Sequence, residues 1–341
     1  MREESEMRVS RVLMLAVASA MLLVTLSCGR SSPPAPGGES STTPAAKPKK
    51  TYKDLIVGYA QLGAESEWRS ANTASVKEAA EQLGVELKFS DAQQKQENQI
   101  EAIRSLIAQK VDVIGVPPVV ETGWDEVFQE AKDAGIPIIL VDRRAAVPED
   151  LYVTLMGSDF LEEGRNAGRI MANLTDGKAN IVELVGTVGS APANDRFKGF
   201  REILQAYPEM KIIDSRSGDF TVAQGKEVME AFLKSHGKAI TAVYAHNDDM
   251  ALGAIKAIEE YGLRPGVDIK IVSVDAARGA FEAMIAGKLN ATVECNPLLG
   301  PRFLELALKV ANGETVPKWV PSEEGVFFPE NAKEILPTRK Y

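Results

Sequence analysis

Short β-branched and aliphatic runs recur along this chain, separated by longer segments with helical spacing. Three of these runs end abruptly on charged or amide residues. IPIILV at 136–141 meets Asp142 and Arg143. TAVYA at 241–245 meets His246, Asn247, Asp248 and Asp249, and IKIVSV at 269–274 meets Asp275. Runs of this length and composition read as strands buried on both faces, as in a parallel sheet. In open α/β sheets ligands bind beyond the carboxyl ends of the strands. The three polar clusters therefore stand where such a fold builds its site.

The alternation is regular from residue 53 onward. Strands are expected at 55–60, 85–89, 111–116 and 136–141, with helices at 67–83, 96–109 and 124–134 between them. Trp68, Ala71, Val76, Ala79 and Leu83 approximate a 3.6-residue period, and Gly84 suits a left-handed helix end. The pattern then restarts, with strands at 152–156, 179–184, 211–215, 241–245, 269–274 and 291–294. The intervening helices are expected at 161–174, 193–206, 222–235, 248–261 and 279–286, with a last one at 298–312. Two consecutive βα arrays, with a seam near Gly157, Ser158 and Asp159, make two doubly wound parallel-sheet (Rossmann-like) lobes the economical α/β solution. The 341 residues suffice for both. A cleft between such lobes is a favoured place for a small molecule.

The N-terminus reads as a targeting segment. Arg8 and Arg11 precede an uncharged, mostly apolar run from Val12 to Leu26, which is short for a membrane span and suits a signal peptide. The acidic stretch before Met7 is unusual for such a segment, and Met7 is the better start. Cys28 sits at the expected cleavage point, although Thr25 stands where a lipobox usually has Leu. Lipidation of Cys28 is expected; ordinary signal cleavage leaving a free thiol is the alternative. Residues 29–50 are rich in Ser, Pro, Gly and Thr and lack apolar periodicity, as a disordered tether would. Cys295 is the only other cysteine and reads as a small buried hydrophobe.

The chain lacks the parts of catalysis. It has two histidines, His236 and His246, and no His, Cys or Asp group at zinc-ligand spacing. VGSAP at 188–192 fails as a nucleophile elbow at both outer positions. GTVG at 186–189 has neither the Lys of a P-loop nor the third Gly of a dinucleotide fingerprint. The net charge of −9 argues against nucleic acid. Capture of a polyhydroxylated ligand needs only carboxylates, Arg and Asn for the hydroxyls and an aromatic for the ring face. Those types occur at the strand ends: Glu65, Trp68 and Arg69; Asp142 and Arg143; Arg196; Phe220; Asn247; Asp275; and Glu294. Each also has a structural use. Asp142 and Asp275 suit helix N-caps, Trp68 suits a core, and Arg143 and Arg196 suit surface pairs. Asp249 suits a helix N-terminus. One site accounts for them together.

At these residues the chain resembles the type I periplasmic sugar-binding proteins of ABC importers, in the ribose-binding group, and within it the galactofuranose-binding branch. The carrying stretches are ESEWR at 65–69, DAQQKQENQ at 91–99, PVVETGW at 118–124, VELVGTVG at 182–189, SGDFT at 217–221, KEVME at 226–230 and YAHNDDM at 244–250. The resemblance implies a monosaccharide held between two hinged lobes, with no catalytic activity, cofactor or metal. It assigns the pocket to Glu65, Trp68, Arg69, Asp142, Arg143, Arg196, Phe220, Asn247, Asp275 and Glu294. It also implies a monomer that serves an ABC permease and its ATPase. Such a protein is exported to the periplasm or the outer face of the cytoplasmic membrane, here with a lipid anchor. The expected division is a signal peptide at 1–27 and Cys28 with its tether at 28–52. The first lobe takes 53–157 plus about 296–322, and the second 158–295 plus about 323–341. A sugar carrier for a chemoreceptor, or a binder of another pentose or hexose, fits the same residues. A lactose-repressor-type regulator would need a helix-turn-helix where the signal sequence stands. Glu67, Asn194 and Ala276 depart from the galactofuranose pattern, which expects Gly, an apolar residue and Gly there.

Overall fold

A computed structural model describes residues 48–341. The expected signal sequence, Cys28 and most of the expected tether lie outside the described residues, and none of the described helices is long and apolar enough to cross a membrane.

The first array forms β1 (Ile56–Gln61), α1 (Glu67–Leu83), β2 (Glu86–Asp91), α2 (Gln96–Ala108), β3 (Val113–Val116), α3 (Asp125–Asp133), β4 (Ile138–Val141) and β5 (Thr154–Gly157). The second forms α4 (Phe160–Leu174), β6 (Lys178–Val185), α5 (Ala191–Leu204), β7 (Glu209–Ser217), α6 (Val222–His236), β8 (Ala242–Ala245), α7 (Asp248–Glu260), β9 (Lys270–Asp275), α8 (Arg278–Ile285) and β10 (Ala291–Glu294). The chain then runs through α9 (Gly300–Ala311), β11 (Trp319–Pro321), β12 (Val326–Phe327) and α10 (Pro329–Ile335).

Two six-stranded sheets result, ordered β11-β5-β4-β3-β1-β2 and β12-β10-β9-β8-β6-β7. All pairings are parallel except β12 against β10. This is the fold expected from the alternation: an α/β chain with two doubly wound parallel-sheet lobes. Strands β3, β4 and β8 are buried at every position, which explains their unbroken apolar runs.

Local signals account for the helix ends. Ser66 caps α1 by accepting from the Arg69 N–H at 3.1 Å, and Gly84 closes it at φ 75°. The chain passes between lobes three times: after β5, after β10, and between β11 and β12. α9 packs on α1 of the first lobe, where the Gly300 N–H donates to Ser75 Oγ at 3.0 Å. α10 packs on α8 of the second. No element is expected from the sequence beyond residue 312. The strands β11 and β12, three and two residues long, carry no period to detect.

Candidate functional site

The carboxyl ends of β1 and β4 face those of β8 and β9 across the interlobe cleft, and a cavity lined by buried polar side chains lies between them. Its wall is made by Glu65, Ser66, Trp68, Arg69, Asp142, Arg143, Phe160, Pro192, Arg196, Phe220, Asn247, Asp275 and Cys295. Nine of the ten expected residues meet there. The tenth, Glu294, does not. Its carboxylate accepts from Arg339 Nη1 at 2.5 Å, from the Tyr341 hydroxyl at 3.1 Å and from the Gly325 N–H at 3.0 Å. It ties down the C-terminal tail of the second lobe instead of facing the cavity. Ser66, Phe160, Pro192 and Cys295 complete the wall and were not expected there. Cys295 is buried, as read from sequence, but its position just past β10 puts it at the cavity as well.

The first-lobe wall is a lattice of buried charges. Arg69 Nη2 donates to Asp142 Oδ2 at 2.6 Å and Arg69 Nε to Glu65 Oε1 at 3.3 Å, while its guanidinium lies 4.5 Å from the Trp68 ring centre. Arg143 donates through Nη1 to the Val119 carbonyl at 3.2 Å and lies 5.4 Å from the Phe220 ring. Burial, followed by the neighbouring Arg69 charge, brings Arg143 down to about 10, still protonated at neutral pH. Burial pulls Arg69 down too, but Asp142 and Glu65 more than reverse it, so its pKa is raised.

The second-lobe wall centres on Arg196. Its Nε donates to Glu163 Oε2 at 2.7 Å, Nη1 to the His246 carbonyl at 2.6 Å, and Nη2 reaches Asp275 Oδ1 at 3.5 Å. Burial raises the Asp275 pKa well above the usual carboxylate range, Arg196 opposing it and the Asp248 charge adding to it. Phe220 is placed at φ 60°, after Asp219 at φ 52°. Its ring presses so closely on Gly186 that a Cβ there would lie 1.9 Å from it.

The structural uses of these residues separate clearly. Neither Asp142 nor Asp275 caps a helix; Ala277 holds the N-cap position of α8, and only a short 3-10 turn at Glu149–Leu151 lies between β4 and β5. Both aspartates sit at positive φ, 66° and 121°. Asn247 does cap α7, accepting from the Met250 N–H at 3.0 Å, and gives Nδ2 to the Phe220 carbonyl at 3.0 Å. Trp68 is both buried and part of the wall, its Nε1 donating to the Cys295 carbonyl at 2.6 Å. Arg143 and Arg196 are buried, so surface ion pairs do not describe them.

Two polar atoms of the wall lack a hydrogen-bond partner: Glu65 Oε2, an acceptor, and Arg143 Nε, a donor that lies 3.8 Å from Asp142 Oδ2. Buried polar atoms are almost always paired, so this wall is shaped for a ligand that both donates and accepts. The cavity is tight, about 20 Å³, enough for about one or two waters.

Direct bonds close the cleft at its rim. Arg144 of the first lobe pairs with Glu121 at 2.6 Å and, through Nη2, with Asp195 of the second at 3.0 Å. Asn194 donates to Glu121 Oε2 at 2.5 Å, and the Glu121 N–H to the Gly189 carbonyl at 2.9 Å. On the α1 side the Glu67 N–H reaches Asp249 Oδ2 at 3.2 Å. The departures Glu67 and Asn194 thus lie on the rim, and Ala276, at φ 57°, is buried beyond Asp275; none of the three lines the cavity.

The chain matches the periplasmic binding protein domain over residues 57–315. It is 48% identical to the galactofuranose-binding protein YtfQ of Escherichia coli (strain K12), over 84% of this chain and 92% of that protein. Among solved structures it is similar to the binding component of the arabinose ABC transporter from Shewanella sp. ANA-3, bound to α- and β-L-arabinofuranose. The TM-score is 0.82 and the identity 48%, over 84% of this chain and 96% of that one. A Mycobacterium smegmatis structure in complex with β-D-fucofuranose is also similar, with a TM-score of 0.82 and 54% identity over 84% and 95% of the two chains.

Proposed function

The chain belongs to the periplasmic binding protein domain family, and from that premise we propose that it captures a monosaccharide in furanose form between its lobes and delivers it to an ABC importer. The observation that carries the reading is the buried wall of alternating carboxylates and guanidinium groups in which Glu65 Oε2 and Arg143 Nε are left without a hydrogen-bond partner. A sugar hydroxyl donates and accepts at once and so answers both. Trp68 and Phe220 offer faces for the carbon side of the ring. Glu65, Arg69, Asp142, Arg143, Arg196, Asn247 and Asp275 hold hydroxyls in this reading, and Glu294 is left to the C-terminal tail. The names of the similar proteins support the furanose form: galactofuranose, arabinofuranose and fucofuranose.

Export follows the family, and Cys28 with its Ser- and Pro-rich tether suits a lipid anchor on the outer face of the cytoplasmic membrane. The closed pair of lobes presents one continuous surface to a permease. A ligand favours that state only through its greater affinity for it. A thermal-shift screen with L-arabinose, D-galactose, D-fucose, D-ribose and D-xylose tests the reading. The first three, whose furanose forms match the similar structures, are expected to raise the melting temperature most. No shift with any of them would discard it.

A further inference from the structure

One carboxyl touches all three crossovers between the lobes. Glu324 lies on the third, between β11 and β12, and its Oε1 accepts from the Ser158 hydroxyl on the first. The same oxygen accepts from the Asn296 N–H on the second at 2.8 Å. Ser158 Oγ also lies 3.2 Å from Cys295 Sγ, at the start of that second crossover. Glu163, in the first turn of α4, completes the group. The facing ligand atoms of Glu163, Cys295 and Glu324 all lie within 4.8 Å of one another.

Two carboxyls and a thiol packed this closely and buried do not all ionise together. Arg196 brings one positive charge, spent on Glu163 Oε2 at 2.7 Å and shared with Asp275 at 3.5 Å. The other Glu163 oxygen, Oε1, is buried with no partner. A proton retained in the group supplies the missing donor. Burial, followed by the Glu163 charge, pushes Glu324 up to about 8, and burial raises Glu163 and Cys295 as well.

We propose that Glu163 is a positioning residue for ligand capture: it clamps Arg196 in the cavity and, through a proton shared with Glu324, ties that arginine to the three crossovers. This rests on the sugar-binding reading above. Parting the lobes turns the crossovers, loosens the group and lets water reach Glu324, which then releases its proton at neutral pH. Closure takes the proton back. The charged and titratable groups facing the pair are Arg196 on α5, Cys295 on the second crossover, Asp142 beyond β4 and Asp275 beyond β9. Because the carboxyl is raised in the closed form, the contribution is full at low pH. It fades as pH rises toward about 8 and is level above that.

The test is calorimetric titration of the whole protein with the better bound of L-arabinose and D-galactose, in two buffers of different ionisation enthalpy near neutral pH. Wild type is expected to take up a substantial fraction of one proton per sugar, and Glu324→Gln measurably less. Asp275 and Asp249 titrate in both proteins, so the difference carries the result. Glu163→Gln is expected to weaken binding about tenfold. Equal proton uptake in wild type and Glu324→Gln, with sugar still bound, would overturn the proposal and leave sugar capture standing. No heat with either sugar would sink both. A stoichiometric divalent cation, removed from wild type by a chelator and not held by Cys295→Ser, would assign the group to a metal and overturn the shared proton.

Discussion

Asp142 and Asp275 end β4 and β9 with backbones in the left-handed region, at φ 66° and 121°. Non-glycine residues hold such conformations only where the surroundings over-determine them, and they gather at functional sites. Here the surroundings are Arg69 on one aspartate and Arg196 on the other. Removing either carboxylate takes one buried partner from its arginine and, in the proposed reading, an acceptor from the sugar. The loss of a charged hydrogen-bonding partner costs roughly 1.5–3 kcal/mol. Asp142→Ala and Asp275→Ala are therefore each expected to weaken sugar binding about 10- to 150-fold in isothermal titration. Wild-type affinity in either would remove that residue from the site. Glu65, three strand ends before Asp142 in sequence but next to it through Arg69, belongs to the same lattice.

At the scale of elements, β6, β7, β8 and α5 enclose one buried carboxylate. Glu183 accepts from Arg201 Nη1 and Nη2 at 2.7 and 2.8 Å and lies 3.3 Å from His246 Nε2, with Ser215 Oγ at 2.5 Å. Burial would raise its pKa, but the His246 and Arg201 bonds prevail and hold it at about 2. A depressed carboxylate contributes stability above its unfolded value of 4.5, and that contribution is lost as pH falls toward 2. The amount is roughly 3 kcal/mol. The melting temperature is expected to drop between about pH 4.5 and 2, less steeply in Glu183→Gln than in wild type. An identical acid slope in the two would show that this carboxylate is not what acid attacks.

The same elements show what the sequence made legible. β4 and β8 announce themselves as unbroken apolar runs because both faces are covered. α1 announces itself by Ser66, its period and Gly84. Side-chain direction at a strand end is not written in composition. Asp275 and Glu294 are register partners on β9 and β10, yet only Asp275 turns into the cavity, because Arg339 and Tyr341 draw Glu294 to the tail. Phe160 stands one residue before the helix expected from 161, and Cys295 reads from sequence as a buried hydrophobe, which it also is.

At the scale of the molecule, the lobes hold each other at two rims outside the cavity wall. Arg144, Glu121, Asp195 and Asn194 form one, and Glu67 with Asp249 the other. Bonds present only when the lobes are closed favour closure and so raise affinity without contacting sugar. Arg144→Ala breaks the ion pair with Asp195 that crosses this partly exposed rim, a pair worth up to about 1 kcal/mol. It is expected to weaken binding about two- to fivefold, mainly through faster dissociation in stopped-flow tryptophan fluorescence. An unchanged dissociation rate would mean that the rim does not latch the lobes. The central claim is that the cavity between Glu65, Arg69, Asp142 and Arg143 on one lobe and Arg196, Asn247 and Asp275 on the other holds a furanose sugar. Calorimetric titration of the purified protein with L-arabinose and D-galactose, beside Asp142→Ala, tests it most directly. One sugar per chain bound by wild type, and at least about tenfold more weakly by the variant, is the predicted result. Equal binding by the variant, or no heat with either sugar in wild type, would contradict it.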